Sequence, residues 1–175
     1  MIRLALLALL LINTPAHARG VYLTHDQFVS QSFNSGQSPS SETLWLTAPI
    51  REQATAILGH PPQGLRVRYH REGTRTAWIL DEIGKELPIT IGLLIDHGKI
   101  EKLSILAFRE SRGGEVRYSA YTRQYRGITL DDNYRLSGNI DGITGATLSV
   151  RAVNRVAALA LYYHRLVVAK PTQEE

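Results

Sequence analysis

The spacing of apolar residues predicts consecutive strands in the middle of the chain. Apolar and polar residues alternate in Lys99–Phe108, Leu87–Asp96 is rich in β-forming residues, and an apolar run lies within Arg75–Gly84. His97-Gly98, between the last two strands, predicts a tight hairpin turn. Basic and apolar residues alternate in Arg66–Arg71 as they do in an edge strand.

Three other segments have the apolar spacing of helices. Residues 21–33 predict a short helix, and Ala48–Gly59 predicts a second one that Thr47 can cap. Leu148–Ala169 carries an apolar stripe at helical spacing with Arg151 on the other side, which predicts an amphipathic helix about 20 residues long. The order of helix, hairpin-linked strands, loop and long helix predicts an α+β fold, with an antiparallel sheet packed against helices.

These elements divide the chain into four parts. They are a signal peptide over residues 1–18, an N-terminal helical segment over 19–74, the main domain over 75–169 and a polar tail over 170–175. Residues 34–42 are rich in serine, glycine and proline, so we expect a loop there.

The first residues have the composition of a secretory signal peptide. Arg3 precedes the apolar run Leu4–Ile12, and Ala16-His17-Ala18 has the small-x-small form of a cleavage site. The run is too short to cross a bilayer, which takes about 20 apolar residues. We therefore expect an exported protein whose mature chain starts near Arg19. A short anchor that is never cleaved is the alternative.

Charge and cysteine content exclude several classes of function. The chain has 20 Lys and Arg residues against 16 Asp and Glu, and the basic residues are scattered, which does not indicate nucleic-acid binding. It has no cysteine, which excludes iron–sulfur clusters, Cys-ligated zinc and the attachment motif of c-type haem. If the protein handles electrons, it needs another carrier.

Familiar catalytic patterns do not occur in the sequence. It contains no G-x-S-x-G motif, and its six histidines are dispersed without an H-x-x-x-H pair. We therefore assign no catalytic residue and no metal ligand.

The stretch NIDGITGATLS, Asn139–Ser149, lies just before the long helix. Its glycines permit positive φ and a close approach of the backbone, and Thr147 or Ser149 can cap the helix. A helix N-terminus also attracts phosphate. The residues alone leave two interpretations open: a capped turn, or a phosphate-binding site that includes a threonine hydroxyl.

DGITGAT, Asp141–Thr147, resembles the flavinylation motif D-G-x-[S/T]-G-A-T of FMN-binding domain proteins. That family includes the C subunit of the sodium-pumping NADH:quinone oxidoreductase and the G subunit of the Rnf complex. The two strands upstream and the Arg109-Glu110-Ser111 loop after them also resemble the family. This chain lacks the membrane helix of those subunits and is similar to the short soluble periplasmic members.

The resemblance implies that FMN is attached covalently to Thr147 through a phosphoester bond. It also implies a set of residues that contact the cofactor: Glu110, Ser111, Gly113, Asp141, Gly142, Thr144, Gly145, Ala146, Thr147 and Ser149. Tyr118, Tyr121 and Tyr125 either stack on the flavin or pack elsewhere in the protein.

The function implied by the resemblance is electron transfer in the periplasm. A Mg²⁺-dependent flavin transferase would attach the FMN, and the redox partners would be a membrane oxidoreductase or a periplasmic protein. Association with the membrane would then occur through a partner. Two alternatives remain open: a small flavin-dependent reductase with its own substrate, and a binding or sensory module that has lost flavinylation.

Overall fold

The protein folds as one antiparallel sheet with helices on both faces. The computed structural model describes residues 20–33 and 38–169. Five strands are hydrogen-bonded in the order in which they occur along the chain. They are β1 (Ser40–Trp45), β2 (Arg66–Glu72), β3 (Arg75–Ile83), β4 (Pro88–Asp96) and β5 (Lys99–Phe108). The helices are α1 (His25–Ser32), α2 (Ala48–Leu58), α3 (Ser119–Thr122) and α4 (Thr147–Val168). The predicted α+β class with an antiparallel sheet is confirmed.

The central hairpins form where the alternation of apolar residues predicted them. β3, β4 and β5 pair antiparallel with their neighbours along nearly their whole lengths. The turn between β4 and β5 places His97 at φ 46° and Gly98 at φ 74°. Two successive residues with positive φ are what a two-residue hairpin turn of type I′ requires.

The N-terminal segment differs from the prediction because it also supplies strands. Residues 19–74 were expected to be helical and 34–42 to be a loop, but β1 begins at Ser40. β2 forms where an edge strand was predicted, but it pairs with both β1 and β3 and is therefore an interior strand of the sheet. The sequence of β1 has no alternating apolar pattern, because Leu44 is its only buried residue and most of the others are exposed. Pairing with β2 over the whole of β1 holds it in place. Thr47 is the N-cap residue of α2, as predicted, but its side chain makes no capping hydrogen bond.

The two faces of the sheet are covered differently. α2 and α4 cover one face and enclose the larger core, in which Trp78 stacks on Tyr69 with ring centroids 4.6 Å apart. α1 covers the other face, where the Phe28 ring lies directly on Gly92 of β4. A Cβ atom at Gly92 would lie 2.8 Å from that ring, so this central strand position has room only for glycine.

The predicted signal peptide and the predicted polar tail lie outside the described residues. Within residues 20–33 and 38–169, no helix combines the length and the hydropathy needed to cross a membrane.

His164 joins α4 to the sheet through a buried hydrogen-bond network. The amide N–H of Gly98 donates to Nε2 of His164 over 3.1 Å, so Nδ1 carries the proton and donates to the Thr76 hydroxyl over 2.7 Å. Thr76 also accepts from Nε1 of Trp78 over 2.8 Å. His164 is only 2% exposed, and desolvation lowers its pKa to about 4. The network therefore needs the neutral imidazole.

Acid is expected to unfold the protein partly through His164. Because its pKa is lower in the folded state than its ordinary value of 6.5, the unfolded state binds its proton first. This contribution is complete above about pH 6.5, decreases towards pH 4, and amounts to about 3 kcal/mol over that interval. Urea unfolding at several pH values measures it. We expect the free energy of unfolding of His164→Gln to change less between pH 6.5 and 4 than that of the wild type. His25→Gln, at an exposed histidine, should show the pH dependence of the wild type. The same pH dependence in both variants would refute the assignment to His164.

Candidate functional site

Thr147 is the first residue of the long helix α4, and its side chain is exposed. The amide of Val150 donates to the carbonyl of Ala146 over 2.9 Å, so the helical hydrogen bonds start at Ala146 and make it the N-cap. Ala146 has no polar side chain, and the helix has no side-chain cap. The predicted capping by Thr147 or Ser149 is therefore wrong, because both lie inside the helix. The Thr147 hydroxyl makes no hydrogen bond within the described part of the chain, which leaves it free for other chemistry.

The glycines of the motif leave open space beside the backbone. A Cβ atom added to Gly142 or Gly145 would meet no atom within 4 Å. Gly145 has φ 82°, in the left-handed region that favours glycine. Thr144, between them, is exposed. This side of the turn is therefore open to a ligand or to another protein.

The loop after β5 contacts the motif at Gly113. A Cβ atom on Gly113 would lie 2.6 Å from the hydroxyl oxygen of Ser149 and 3.4 Å from Cβ of Ala146. Gly113 has φ 84°, and Ser149 is 5% exposed. The structure thus brings together two parts of the predicted site that are more than 30 residues apart in the sequence.

Glu110 binds the turn between β3 and β4. Its Oε1 accepts hydrogen bonds from the backbone N–H groups of Lys85, Glu86 and Leu87 over 2.6, 2.6 and 2.8 Å. Desolvation alone would raise the pKa of Glu110, but these three donors hold it below its ordinary value. A contact between Glu110 and the cofactor stays a prediction, and Oε1 already has protein partners. Ser111, the next residue, is exposed.

Replacement of Glu110 by alanine is expected to destabilise the protein by about 2 kcal/mol, because three amide donors lose a charged acceptor. Urea unfolding at neutral pH measures the difference. Glu115→Ala is the matched control, because Glu115 is exposed in the same connecting segment, and we expect it to change stability little. Similar values for the two variants would show that the Glu110 contacts do not stabilise the turn.

The three candidate tyrosines have different surroundings. Tyr121 and Tyr125 are buried, and their hydroxyl oxygens lie 2.6 Å apart. Tyr125 donates to the side-chain oxygen of Asn154 on α4 over 2.5 Å. Both tyrosines therefore pack in the core. Tyr118 is 53% exposed and lies against Arg117.

Two residues that were not predicted also belong to the site. Oε1 of Gln124 accepts from the backbone N–H of Asp141 over 2.8 Å and so fixes the start of the motif. Arg151 follows Thr147 by four residues, so the two side chains are neighbours on the surface of α4. Arg151 is exposed and has no hydrogen bond or ion pair among the described residues. Its spacing from Thr147 was visible in the sequence, whereas the contact of Gln124 depends on the fold.

This arrangement fits the phosphate end of a phosphorylated ligand. The N–H groups in the first turn of α4 and the Arg151 guanidinium supply positive charge beside the Thr147 hydroxyl. A cavity of about 610 Å³ opens elsewhere, where β2 and β3 separate, and none of the candidate cofactor residues lines it. The candidate site is thus an open turn on the surface.

Comparison with known proteins identifies one family. Residues 84–162 match the family model described as the FMN-binding domain. The matched segment runs from the turn after β3 into α4 and contains every predicted cofactor residue. No curated protein matches the chain.

Proposed function

The chain belongs to the FMN-binding domain proteins, and from this premise we propose that it is a periplasmic electron carrier with FMN bound covalently to Thr147. The observation that carries the proposal is the placement of Thr147. Thr147 is exposed at the start of α4 and lies within the matched family segment, and its hydroxyl is not used as a cap.

The proposed attachment is a transfer of FMN from FAD to Thr147. The hydroxyl oxygen of Thr147 forms a bond to the phosphorus of the FMN half, the pyrophosphate bond breaks, AMP leaves, and the hydroxyl proton is released. Among the described residues, no histidine or carboxylate is hydrogen-bonded to this hydroxyl, so the protein does not activate it in the manner of a catalytic triad. A Mg²⁺-dependent flavin transferase would supply that activation, and the open turn would give it access.

The residues around Thr147 would hold the phosphodiester in place. The amides at the start of α4 and the Arg151 side chain would bind its charge, and the backbone at Gly142 and Gly145 would leave room for the cofactor. Gly113 would keep the loop after β5 close to the attachment point. FMN would supply the redox chemistry, and the protein would supply position and electrostatics.

A covalent bond also suits an exported protein. Outside the cytoplasm, a carrier cannot draw on the cellular FMN pool, and a tether keeps the cofactor at a high effective concentration. A membrane oxidoreductase or another periplasmic protein would exchange electrons with it. Association with the membrane would occur through such a partner.

Co-expression with a flavin transferase tests the proposal. The protein is unfolded in guanidinium chloride and separated from small molecules, and the absorption of the protein fraction is recorded. We expect a flavin spectrum that remains with the unfolded chain in the presence of the transferase and is absent without it. A chain that carries no flavin despite an active transferase would rule out covalent attachment.

A further inference from the structure

An aromatic and basic cluster lies on the surface close to the candidate site. Arg117 lies between two tyrosines, with its guanidinium carbon 5.0 Å from the ring centres of both Tyr22 and Tyr118. It also donates to the Tyr22 hydroxyl over 2.8 Å and to the Tyr118 hydroxyl over 3.3 Å. The tyrosines are 49% and 53% exposed. These contacts hold three large exposed side chains in fixed positions, which lowers the entropy cost of using them in an interface.

A basic groove continues from this cluster along the edge strand β5. Other segments pair with the two ends of this edge: Phe108 donates to Gly20, and Ile100 donates to Ile128. Between these contacts lies a cavity of about 400 Å³ along residues 101–105. Lys102, Arg117, Arg123 and Arg126 line it.

Acidic residues do not cancel this charge. Glu101 lines the groove, but Oε2 accepts from Arg75 over 2.6 Å, so its charge is already paired. Glu115 is exposed in the segment that contains Arg117 and is not among the residues that line the groove. The residues that line the groove thus include four basic side chains and one carboxylate that is already paired, so the groove carries net positive charge.

The cluster is connected directly to the candidate site. Arg117 ends the short 3₁₀ turn Gly114–Arg117, which begins immediately after Gly113. Gly113 in turn contacts Ala146 and Ser149 at the start of α4. A protein that docks on the cluster would therefore contact the segment that leads to the start of α4, where the flavin would be attached.

We propose that the surface formed by Tyr22, Arg117, Tyr118, Lys102, Arg123 and Arg126 docks a redox protein that presents a carboxylate-rich patch. This inference rests on the proposed function for the identity of the partner as a redox protein. Opposite charge steers encounter and orients the partners of short-lived complexes, and tyrosine and arginine are enriched among the residues that dominate interface energies. Electron-transfer encounters have small interfaces, which suits a cluster of this extent.

Binding measurements with two redox proteins of opposite charge test the proposal. The probes are a plant-type ferredoxin, which is acidic, and a cytochrome c, which is basic. At an ionic strength of about 10 mM, where the Debye length is about 30 Å, we expect the flavinylated protein to bind the ferredoxin and not the cytochrome. Binding should weaken steeply as salt is added.

Charge reversal locates the surface. Arg123→Glu combined with Arg126→Glu is expected to raise the Kd for the ferredoxin about tenfold or more, since like charges then face each other. Arg66→Glu combined with Arg68→Glu changes the charge equally at exposed positions of β2 and should have a much smaller effect. Circular dichroism checks that both variants fold. Equal losses in the two variants, or preference for the cytochrome, would overturn the proposal.

The same measurement separates this inference from the proposed function. Thr147→Ala removes the proposed attachment site but leaves the surface intact, so the variant should still bind the ferredoxin. If the wild type binds the ferredoxin but carries no covalent flavin, the proposed function is contradicted and the proposed docking surface is not. Binding to phosphatidylglycerol vesicles but not to the ferredoxin would identify a membrane-binding surface and overturn the inference.

Discussion

Replacement of Thr147 by alanine is expected to remove all covalently bound flavin from the protein. Alanine retains the helix start, because Ala146 and the backbone form it, so the loss would be chemical and not structural. The phosphoester needs an oxygen at this position, and an alanine side chain has none. In-gel fluorescence of the denatured protein after co-expression with the transferase measures the loss.

Thr144→Ala is the matched control, because Thr144 is an exposed threonine in the same turn. We expect this variant to keep a fluorescent band, since its hydroxyl only helps to form the surroundings of the attachment site. A fluorescent Thr147→Ala band would mean that the bond forms elsewhere. Loss of the band in Thr144→Ala with retention in Thr147→Ala would move the assignment to Thr144.

Replacement of Gly113 by valine is expected to separate the loop after β5 from α4. Gly113 has φ 84°, which a β-branched residue adopts only with strain, and its Cβ would lie 2.6 Å from the Ser149 hydroxyl. Strain and overpacking together are expected to lower the free energy of unfolding by about 2–4 kcal/mol. Urea unfolding measures the change, and flavin yield after co-expression should fall with it.

The neighbouring glycine provides the control for this prediction. Gly114 has an ordinary φ, and a Cβ there would lie 3.5 Å from the Phe108 ring, which is normal van der Waals contact. Gly114→Ala is therefore expected to change the free energy of unfolding by less than about 1 kcal/mol. If Gly113→Val changed the free energy of unfolding by as little as Gly114→Ala, the contact between the loop and α4 would not be tight.

The parts of the fold that the sequence predicted are those whose signals are local. The strands β3 to β5 follow from apolar spacing, and the tight hairpin turn follows from His97-Gly98, because both signals lie in adjacent residues. β1 was missed because its strand conformation comes from pairing with β2 and not from its own alternation. The cap of α4 was missed because an alanine without a capping side chain occupies the position.

The candidate site also combines features that the sequence predicted with contacts that depend on the fold. Resemblance to the family motif predicted that Thr147 is the chemically important residue, and the structure adds that this residue is exposed. The contact between Gly113 and Ser149 and the three amides bound by Glu110 could not be predicted locally, because they join segments that only the fold brings together. The sequence allowed Tyr121 and Tyr125 to stack on the flavin or to pack in the core. Their burial and the hydrogen bond between their hydroxyl groups show that they pack in the core.

Peptide mass spectrometry tests the central claim most directly. The protein is co-expressed with an active flavin transferase and digested with trypsin, and the fragments are sequenced by tandem mass spectrometry. We predict that the peptide containing Thr147 has gained the mass of FMN less one water, with the added mass on Thr147 itself. An unmodified Thr147 peptide in a preparation where the transferase is active would contradict the account.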